Sequence, residues 1–297
     1  MEKVEQEQNM IVNNQSNIKV HFAGTETISH FWCTNYADVH YTLFTVYPFI
    51  RKKKLGSISY SDIPEIIRSN SKHTIMDSGL FTLMFGSEKG KKDKKFIYEW
   101  ADKIIEFVNV SKYKGTLVEV DCQKVLGVDA AWELRKYFKQ KLKNRIINVF
   151  HIEDGKKGLD EMIEFSDYIA ISVPELRGLK KKHHTEKLAN YIKNKKPSID
   201  IHLLGCTEVK LLKKLKFCSS SDSTSWLQPV RFGGIDSFSN KYFTKNIDKE
   251  KLINQYKDTI YKFVKNPTDT GLLNYSILIK QCELLKNKYS IFAGNQN

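Results

Sequence analysis

The side chain best suited to chemistry is a carboxylate surrounded by small hydroxyl residues. Asp222 lies within Cys218–Trp226, whose sequence is CSSSDSTSW. Ser and Thr hydroxyls can donate hydrogen bonds to a carboxylate and hold it ionised and oriented. A carboxylate held in this way can act as a nucleophile, a general base or a metal ligand. The alternative is an ordinary turn, because Ser- and Asp-rich turns are common.

Further polar side chains follow short apolar segments that have the character of strands. They are Asp77 after Thr74–Met76, Asp121 after Thr116–Val120, His151 after Ile146–Phe150 and Glu175 after Tyr168–Val173. A single Asp after a strand is usually a helix cap or a turn former. Several carboxylates that meet at one mouth repel one another unless a ligand or a cation lies among them. Their convergence therefore indicates a functional site.

The elements that must position these residues alternate between short apolar strands and amphipathic helices. Eight strand candidates are counted, of which the first is Ile18–Ala23, the penultimate Ile199–Leu204 and the last Val230–Gly234. The helices are Phe96–Val110, Ala130–Leu142, Leu159–Phe165, Thr185–Ile192 and Glu208–Leu215, the last capped by Thr207. Eight β/α units predict an α/β fold, a closed (β/α)8 barrel of the TIM type, with its active site where the strands end. An open doubly wound sheet fits less well, because no G-x-G-x-x-G turn follows any strand.

Three segments are predicted along the chain. Residues 1–17 form a flexible, polar lead-in, residues 18–248 the catalytic barrel, and residues 249–297 two helices packed on the barrel, Lys251–Val264 and Thr270–Lys286. A hydrophobic content of 41% in 297 residues suffices for one large core. The sequence contains no apolar run long enough to predict a membrane span, and its N-terminus does not resemble a signal peptide. The five cysteines form no C-x-x-C pair, which favours a reducing cytoplasm over a disulfide framework or a zinc knuckle.

The formal charge of +14 predicts a polyanionic partner, usually nucleic acid. The alternative is that Lys is abundant because the genome is AT-rich, which the wealth of Asn and Ile also suits. Basic residues after strands should surround the active mouth and contact phosphates; those expected to do so are Lys91, Lys92, Lys94, Arg177, Lys180 and Arg231. By contrast, Lys193–Lys196 precedes a strand and is interpreted as a solvated helix end at the opposite face. Lys210–Lys216 is interpreted as the outer face of a helix.

Six motifs occur along the chain in an order that is typical of one enzyme family. They are MDSGLF at Met76–Phe81, VEVDC at Val118–Cys122, VFH at Val149–His151, YIAISV at Tyr168–Val173, HLLG at His202–Gly205 and the stretch Phe217–Ser225. They resemble motifs of the tRNA-guanine transglycosylase superfamily. The first three resemble its D-S-G-G-F-Q signature, its strand ending in a base-reading Asp and the strand after that. The last three resemble its Y-A-I-G-G strand, its Y-L-M-G strand and the segment that carries its nucleophilic Asp. The resemblance covers about residues 74–232.

The chain departs from the family pattern at three points. Leu80 stands at the second Gly of the first motif and Thr82 at its Gln. His151 stands where the bacterial tRNA enzymes have Gln. The cysteine cluster and His of the family's zinc site should follow the last strand, but Ser237–Asp248 contains neither residue type. Because that zinc subdomain helps to hold tRNA, the short chain is more similar to the compact phage-type members and to the branch that inserts 7-deazaguanines into DNA.

The resemblance implies base exchange without a cofactor, and the missing zinc ligands lead us to expect no metal. Asp222 is expected to be the nucleophile and Asp77 the general acid and base. The residues expected to bind the base are Asp121, His151, Ser172, Val173, Ser78 and Gly205. Expected partners are nucleic acid, DNA in preference to tRNA, and a free 7-deazaguanine such as preQ0. A homodimer or accessory subunits stay open, and the expected compartment is the cytoplasm, that of the host if the chain is phage-encoded.

Two other classes of function stay open on the sequence. The same acids on a barrel could form a nucleosidase or glycoside hydrolase, although the basic residues argue against a small substrate. A non-catalytic nucleic-acid-binding relative is the second alternative. The presence of both Asp77 and Asp222 argues against it.

Overall fold

Eight parallel strands close into a barrel in chain order, which confirms the (β/α)8 fold. The computed structural model describes residues 18–69, 73–85, 93–181, 183–232, 235–236, 243–244 and 247–292. The barrel strands are β1 Lys19–Ala23, β2 Tyr41–Thr45, β3 His73–Asp77, β4 Thr116–Val118, β5 Ile146–Phe150, β6 Tyr168–Ser172, β7 Asp200–Leu204 and β8 Ser220–Ser223. Pairing of β8 with β1, from Lys19 opposite Ser220 to Phe22 opposite Ser223, closes the sheet.

Helices connect the strands and form the outer layer of the barrel. They are α1 Ile28–Tyr36, α2 Tyr47–Ile50, α3 Glu65–Arg68, α4 Leu80–Phe85, α5 Lys94–Ser111, α6 Gln123–Leu126, α7 Val128–Lys141, α8 Gly155–Phe165, α9 Val173–Gly178, α10 His184–Lys195, α11 Val209–Lys214, α12 Gln228–Phe232, α13 Lys249–Phe263 and α14 Asp269–Ser290. A small antiparallel pair, β9 Ile235–Asp236 and β10 Phe243–Thr244, lies between α12 and α13.

Helix α5 illustrates how local sequence sets these elements. The Asp93 side chain accepts a hydrogen bond from the Phe96 N–H and caps the first turn. Apolar residues then recur at helical spacing, so that Ile97, Trp100 and Ile104 are buried against the barrel. The helix ends at Lys112, whose φ of 53° is left-handed and turns the chain towards β4.

The barrel interior is apolar in one part and polar in another. The apolar part is a cluster contributed by strands alone: Ala23, Leu43, Ile75, Val118, Ile147, Val149, Tyr168 and Ala170. Since side chains alternate along a strand, His21 lies on the same face as Ala23, and His202 on the same face as Leu204. Both imidazoles are buried inside the barrel. Two histidines thus lie inside the barrel on β1 and β7, the two strands that flank β8 and its Asp222.

The two C-terminal helices pack on each other and on the first β/α unit. Helix α14 contacts both α13 and α1. The Lys286 ammonium donates to the Asp38 carboxylate at 2.9 Å and to the Ala37 carbonyl at 3.1 Å. Among the described residues, no helix is both long and apolar enough to cross a membrane.

Three local predictions were wrong. Val230–Gly234 was expected to be the last strand, but α12 runs from Gln228 to Phe232, since Pro229 suits the first turn of a helix. The closing strand is β8, inside the Ser-rich stretch.

Strand β2 lies in an aromatic segment that was not assigned to any strand. Thr207 does not cap α11, because Glu208 is the N-cap residue and the Thr207 hydroxyl bonds Ser225 instead.

Candidate active site

The predicted acids meet at the carboxyl-terminal mouth of the barrel, and the pKa of one of them, Asp77, is strongly raised. Asp77 ends β3, and its Oδ1 accepts the Gly79 N–H at 2.8 Å. Burial and then the neighbouring charges of Asp121, Asp222 and Glu26 raise the pKa of Asp77 to about 7. A carboxyl group with this pKa can both donate and accept a proton near neutral pH.

The turn after Asp77 needs glycine. Gly79 has a φ of 71°, and a Cβ there would lie 2.6 Å from the Tyr47 Cβ. The left-handed conformation directs the Gly79 N–H back onto Asp77. The Ser78 carbonyl accepts the Trp100 indole N–H at 3.0 Å, which ties the turn to α5. The position of Asp77 therefore depends on an ordered, buried turn.

Asp222 lies in β8 and is held by two N–H donors. Its Oδ1 accepts the Gly205 backbone N–H at 2.8 Å and the His202 Nε2–H at 3.0 Å. Gly205 has a φ of 63°, and a Cβ there would lie 2.6 Å from the Pro174 ring. Within the described residues, Asp222 Oδ2 has no hydrogen-bond partner. One oxygen is thus fixed while the other is left for a substrate.

The hydroxyl residues beside Asp222 do not form the orienting shell that the sequence predicted. Ser221 Oγ is buried and has no hydrogen-bond partner among the described residues. Ser223 Oγ accepts the Ser225 backbone N–H at 3.0 Å, and Thr224 is exposed. Successive side chains of β8 point to opposite sides of the sheet, so the neighbours of Asp222 cannot reach it. The donors come from β7 and from the turn after it.

A hydrogen-bonded chain continues from Asp222 through the polar part of the interior. His202 Nδ1 lies 2.5 Å from Ser220 Oγ, which lies 2.5 Å from the Tyr168 hydroxyl. With Nε2–H donating to Asp222, His202 can accept at Nδ1 from the Ser220 hydroxyl, which can in turn accept from Tyr168. Burial, and then His202, lower the pKa of the neighbouring His21 to about 3. His21 is consequently neutral, and its ring adds no positive charge beside Asp222.

A second group at the mouth consists of His151 between two carboxylates. His151 Nε2 lies 3.1 Å from Asp121 Oδ2, and Nδ1 lies 2.7 Å from Glu175 Oε2. Burial disfavours the imidazolium, but hydrogen bonds with Asp121 and Glu175 outweigh it and raise the pKa of His151 to about 10. Burial likewise opposes the Glu175 anion, yet His151 and Lys124 hold the pKa of Glu175 below its ordinary value. The group is an imidazolium clamped between two carboxylates.

A buried ionic network fixes the turn that carries His151. The His151 N–H donates to Asp154 Oδ2 at 2.9 Å, and Arg135 reaches Asp154 Oδ1 at 3.3 Å. The Arg135 guanidinium also binds both oxygens of Glu119, at 2.9 and 3.1 Å. Arg135 and Glu119 are both 2% exposed, so loss of either would leave the other charge buried and unpaired. Glu119, two residues before Asp121, thus helps to fix the turn of His151 through Arg135 and Asp154.

Three side chains at the mouth could together hold a cation. Ligand atoms of His151, Glu153 and Glu175 lie within 4.8 Å of one another. Both ring nitrogens of His151 are, however, engaged with carboxylates, and the raised pKa keeps the ring protonated. A metal needs the neutral imidazole as ligand. The group therefore fits an internal ion pair better than a metal centre.

The other residues predicted to bind the base lie at the mouth with different degrees of access. Ser172 ends β6 and is half-buried, whereas Val173 is buried in the outer core. Ser78 is also buried, with its hydroxyl near the Leu80 N–H. The Gly205 N–H is occupied by Asp222. Their contact with a base stays a prediction, and Gly205 contacts the predicted nucleophile.

The basic residues predicted around this mouth differ in how they are engaged. Lys94 pairs with Glu133 at 2.6 Å, and Arg177 lies 3.8 Å from Glu208. Lys180 and Arg231 are exposed. Lys91 and Lys92 lie outside the described residues.

Sequence reasoning missed the roles of three residues of the site: His202, His21 and Glu26. His202 was noted only as part of a motif, whereas Glu175 had been named among the strand-end acids. The spacing of residues along the strands could have identified the two histidines. A residue two positions before an inward-facing residue of a barrel strand also points inward, so a polar residue there faces the barrel interior.

Two comparisons with known proteins found no relative. No protein-family model matches the chain. No curated protein is significantly similar to it.

Proposed function

We propose that the protein is a base-exchange transglycosylase that replaces guanine in nucleic acid, DNA in preference to tRNA, with a 7-deazaguanine base. The observation that carries the proposal is the pair Asp222 and Asp77. One carboxylate has a fixed and an open oxygen, and the other has a pKa of about 7. Two carboxyl groups in unlike environments suit a nucleophile and an acid–base catalyst.

The reaction begins with the open oxygen of Asp222. It attacks C1′ of the nucleotide, the C1′–N9 bond breaks, and its electron pair leaves with the guanine. The protonated Asp77 gives its proton to the departing guanine, so that neutral guanine is released. The sugar of the polymer is then joined to Asp222 as an ester.

The second half-reaction uses the same two groups in the reverse sense. Asp77, now a carboxylate, removes a proton from the incoming 7-deazaguanine. The ring nitrogen of that base attacks C1′, the ester bond breaks, and Asp222 leaves as a carboxylate. Both catalytic groups return to their starting states, and no cofactor is required.

The group formed by Asp121, His151 and Glu175 offers a carboxylate acceptor, the second oxygen of Asp121, to the polar edge of the base. His151 uses both ring N–H groups to hold Asp121 and Glu175 in place. Inside a duplex the target base must leave the stack, at a cost of a few kcal/mol. A single-stranded or unpaired guanine is therefore the better substrate.

The test is exchange of labelled guanine into DNA and into tRNA. We expect the wild type to incorporate label into DNA, and Asp222→Asn to lose about four orders of magnitude or more in rate. Asp167→Asn, a matched change at an exposed carboxylate, should keep full activity. Unimpaired exchange by Asp222→Asn would sink the nucleophile assignment. Incorporation into tRNA alone would change the polymer, and release of free guanine without exchange would make the protein a nucleosidase.

A further inference from the structure

A large cavity opens at the opposite end of the barrel, where the strands begin. Its volume is about 1260 Å³, and we call it the basal cavity. The residues that begin five of the strands line it: Lys19, His73, Thr116, Tyr168 and Asp200. The opposite end of a barrel of this kind normally serves stability alone. A cavity of this size there is not explained by chemistry at Asp222.

The described residues that line the basal cavity carry a strong excess of positive charge. Asp200 is the one acidic side chain among them. The cationic ones are seven: Lys19, Arg68, Lys112, Lys114, Arg145, Lys193 and Lys216. In the whole chain Lys and Arg outnumber Asp and Glu only by 48 to 34, so composition alone does not produce this excess.

Part of this charge is not neutralised by the protein itself. Arg145 pairs with Asp200, which cancels the one acid. Lys112, Lys114 and Lys216 are exposed, and none has an ion-pair partner among the described residues. A concentration of unpaired cations around a recess attracts anions and raises their local concentration.

The unpaired cations surround the opening instead of converging on one point. Lys112 and Lys114 lie on the turn before β4, and Lys216 lies before β8. In a closed ring of eight strands, β4 and β8 lie on opposite sides. A single phosphate cannot reach both sides, whereas a chain of phosphodiesters can. The spacing therefore favours a polymer over a small anion.

Exposed aromatic rings accompany these cations. Tyr60 is 66% exposed and Phe217 37% exposed, and both line the cavity. The Arg68 guanidinium carbon lies 5.5 Å from the Tyr60 ring centroid. Cations that follow a backbone, together with rings on which bases stack, are the two components of sites for single-stranded nucleic acid. In a duplex the faces of the bases are already covered by stacking on their neighbours, so they are not free to stack on such rings.

We propose that the basal cavity binds a single-stranded segment of nucleic acid without reading its sequence. Lys112, Lys114 and Lys216 contact phosphates, and Tyr60 and Phe217 stack on bases. The site is separate from the catalytic mouth, and its binding does not require the chemistry of Asp222. A polymer held there would stay on the protein while another part of it reached the opposite mouth.

The first test uses a fluorescent oligothymidylate of twelve nucleotides, which offers no guanine to Asp222. We expect Lys112→Gln/Lys114→Gln/Lys216→Gln to weaken its binding roughly tenfold or more at low salt. The slope of log affinity against log salt should become shallower by about two, since each phosphate contact contributes about 0.7. The matched control is Lys157→Gln/Lys251→Gln/Lys262→Gln, which removes equal charge from residues that do not line the cavity. Equal effects of the two triple variants would overturn the proposal.

The second test separates a polymer site from a site for small phosphates. Tyr60→Ala/Phe217→Ala should weaken oligothymidylate binding roughly fivefold or more, with the salt slope unchanged, because stacking is not ionic. The control is Tyr261→Ala, a ring on α13 that is 54% exposed and lies outside the cavity. Affinity should rise from one to four to twelve nucleotides. An affinity that is independent of length, or unchanged by loss of both rings, would contradict the proposal. If guanine exchange fails while these results hold, the basal site stands and the catalytic proposal falls.

Discussion

At one end of this barrel acidic side chains are crowded together, and at the other end cationic side chains surround a cavity. At the mouth where the strands end lie Asp77, Asp121 and Asp222, and burial together with the neighbouring charges raises the pKa of Asp77 to about 7. At the other end, the described residues that line the basal cavity include seven cationic side chains and one acid. Both arrays arise from the same rule, because parallel strands deliver every strand end to one face and every strand start to the other.

The difference lies in how each end treats like charges. The acids are crowded and partly buried, so that repulsion and desolvation shift a carboxyl group into the range of acid–base chemistry. The cations are exposed and spread around a rim, where water screens their repulsion and an external polyanion can relieve it. Crowding thus suits catalysis at the first mouth, and dispersal suits binding at the second.

After the loss of Asp222, the largest effect on this contrast should come from Asp77. We expect Asp77→Asn to lower the rate of guanine exchange about 10²- to 10⁴-fold, because an amide cannot transfer the proton. In the wild type, formation of the covalent intermediate needs protonated Asp77 and should slow above about pH 7. Single-turnover rates between pH 5 and 9 measure this, and a pH profile identical in wild type and variant would remove Asp77 from the mechanism.

The same substitution should have the opposite effect on stability. The folded pKa of Asp77 is above its ordinary value, so ionisation favours the unfolded chain as pH rises from about 4 to about 7. Asp77→Asn should therefore raise Tm at pH 8 and leave it unchanged at pH 4. Asp167→Asn serves as the control. A lower Tm of Asp77→Asn at pH 8 would show that the site is not crowded with acids.

The next effect should come from His202, which positions Asp222. We expect His202→Phe to lower kcat for exchange roughly 10- to 100-fold with little change in KM, because Asp222 loses one of its two N–H donors. His202→Gln keeps an amide donor and should recover part of the rate. If His202→Phe changed KM and left kcat intact, His202 would act on binding and not on the nucleophile.

A smaller effect should appear in stability at His151. Its folded pKa of about 10 means that the imidazolium stabilises the fold fully below about pH 6.5, and that this contribution is lost as pH rises through about 10. The Tm difference between wild type and His151→Gln should thus be largest near pH 6.5 and should shrink by pH 10. A difference that is constant with pH would argue against the clamped imidazolium.

The smallest effect should come from Tyr168, the residue farthest from Asp222 in the hydrogen-bonded chain through His202 and Ser220. Tyr168→Phe removes the hydroxyl that lies 2.5 Å from Ser220 Oγ and keeps the ring. We expect a loss of about 1 kcal/mol in the free energy of unfolding and an exchange rate within about threefold of wild type. Urea denaturation and exchange assays measure the two. A rate loss as large as that of His202→Phe would make the whole chain part of the catalytic apparatus.

The barrel could be predicted from the sequence because most of its strands are apolar and alternate with amphipathic helices. Strand β8 could not, because its inward-facing residues, Ser220 and Asp222, bind Tyr168 and His202 and leave no apolar alternation. The partners of Asp222 escaped prediction for a related reason. His202 lies 20 residues away in sequence, and the geometry of a neighbouring strand brings it into contact. Likewise, Lys193 and Lys216 were interpreted from the sequence as solvated helix residues. In the closed barrel both line the same cavity.

The central claim is that Asp222 becomes covalently joined to the polymer. The most direct measurement is the intact mass of the protein after incubation with a short single-stranded DNA containing one guanine, without free base, and a denaturing quench. The proposed reaction predicts a mass increase equal to the strand without its guanine, present in wild type and Asp167→Asn and absent in Asp222→Asn. An adduct that persists in Asp222→Asn, or guanine exchange by a wild type that forms no adduct, would contradict it.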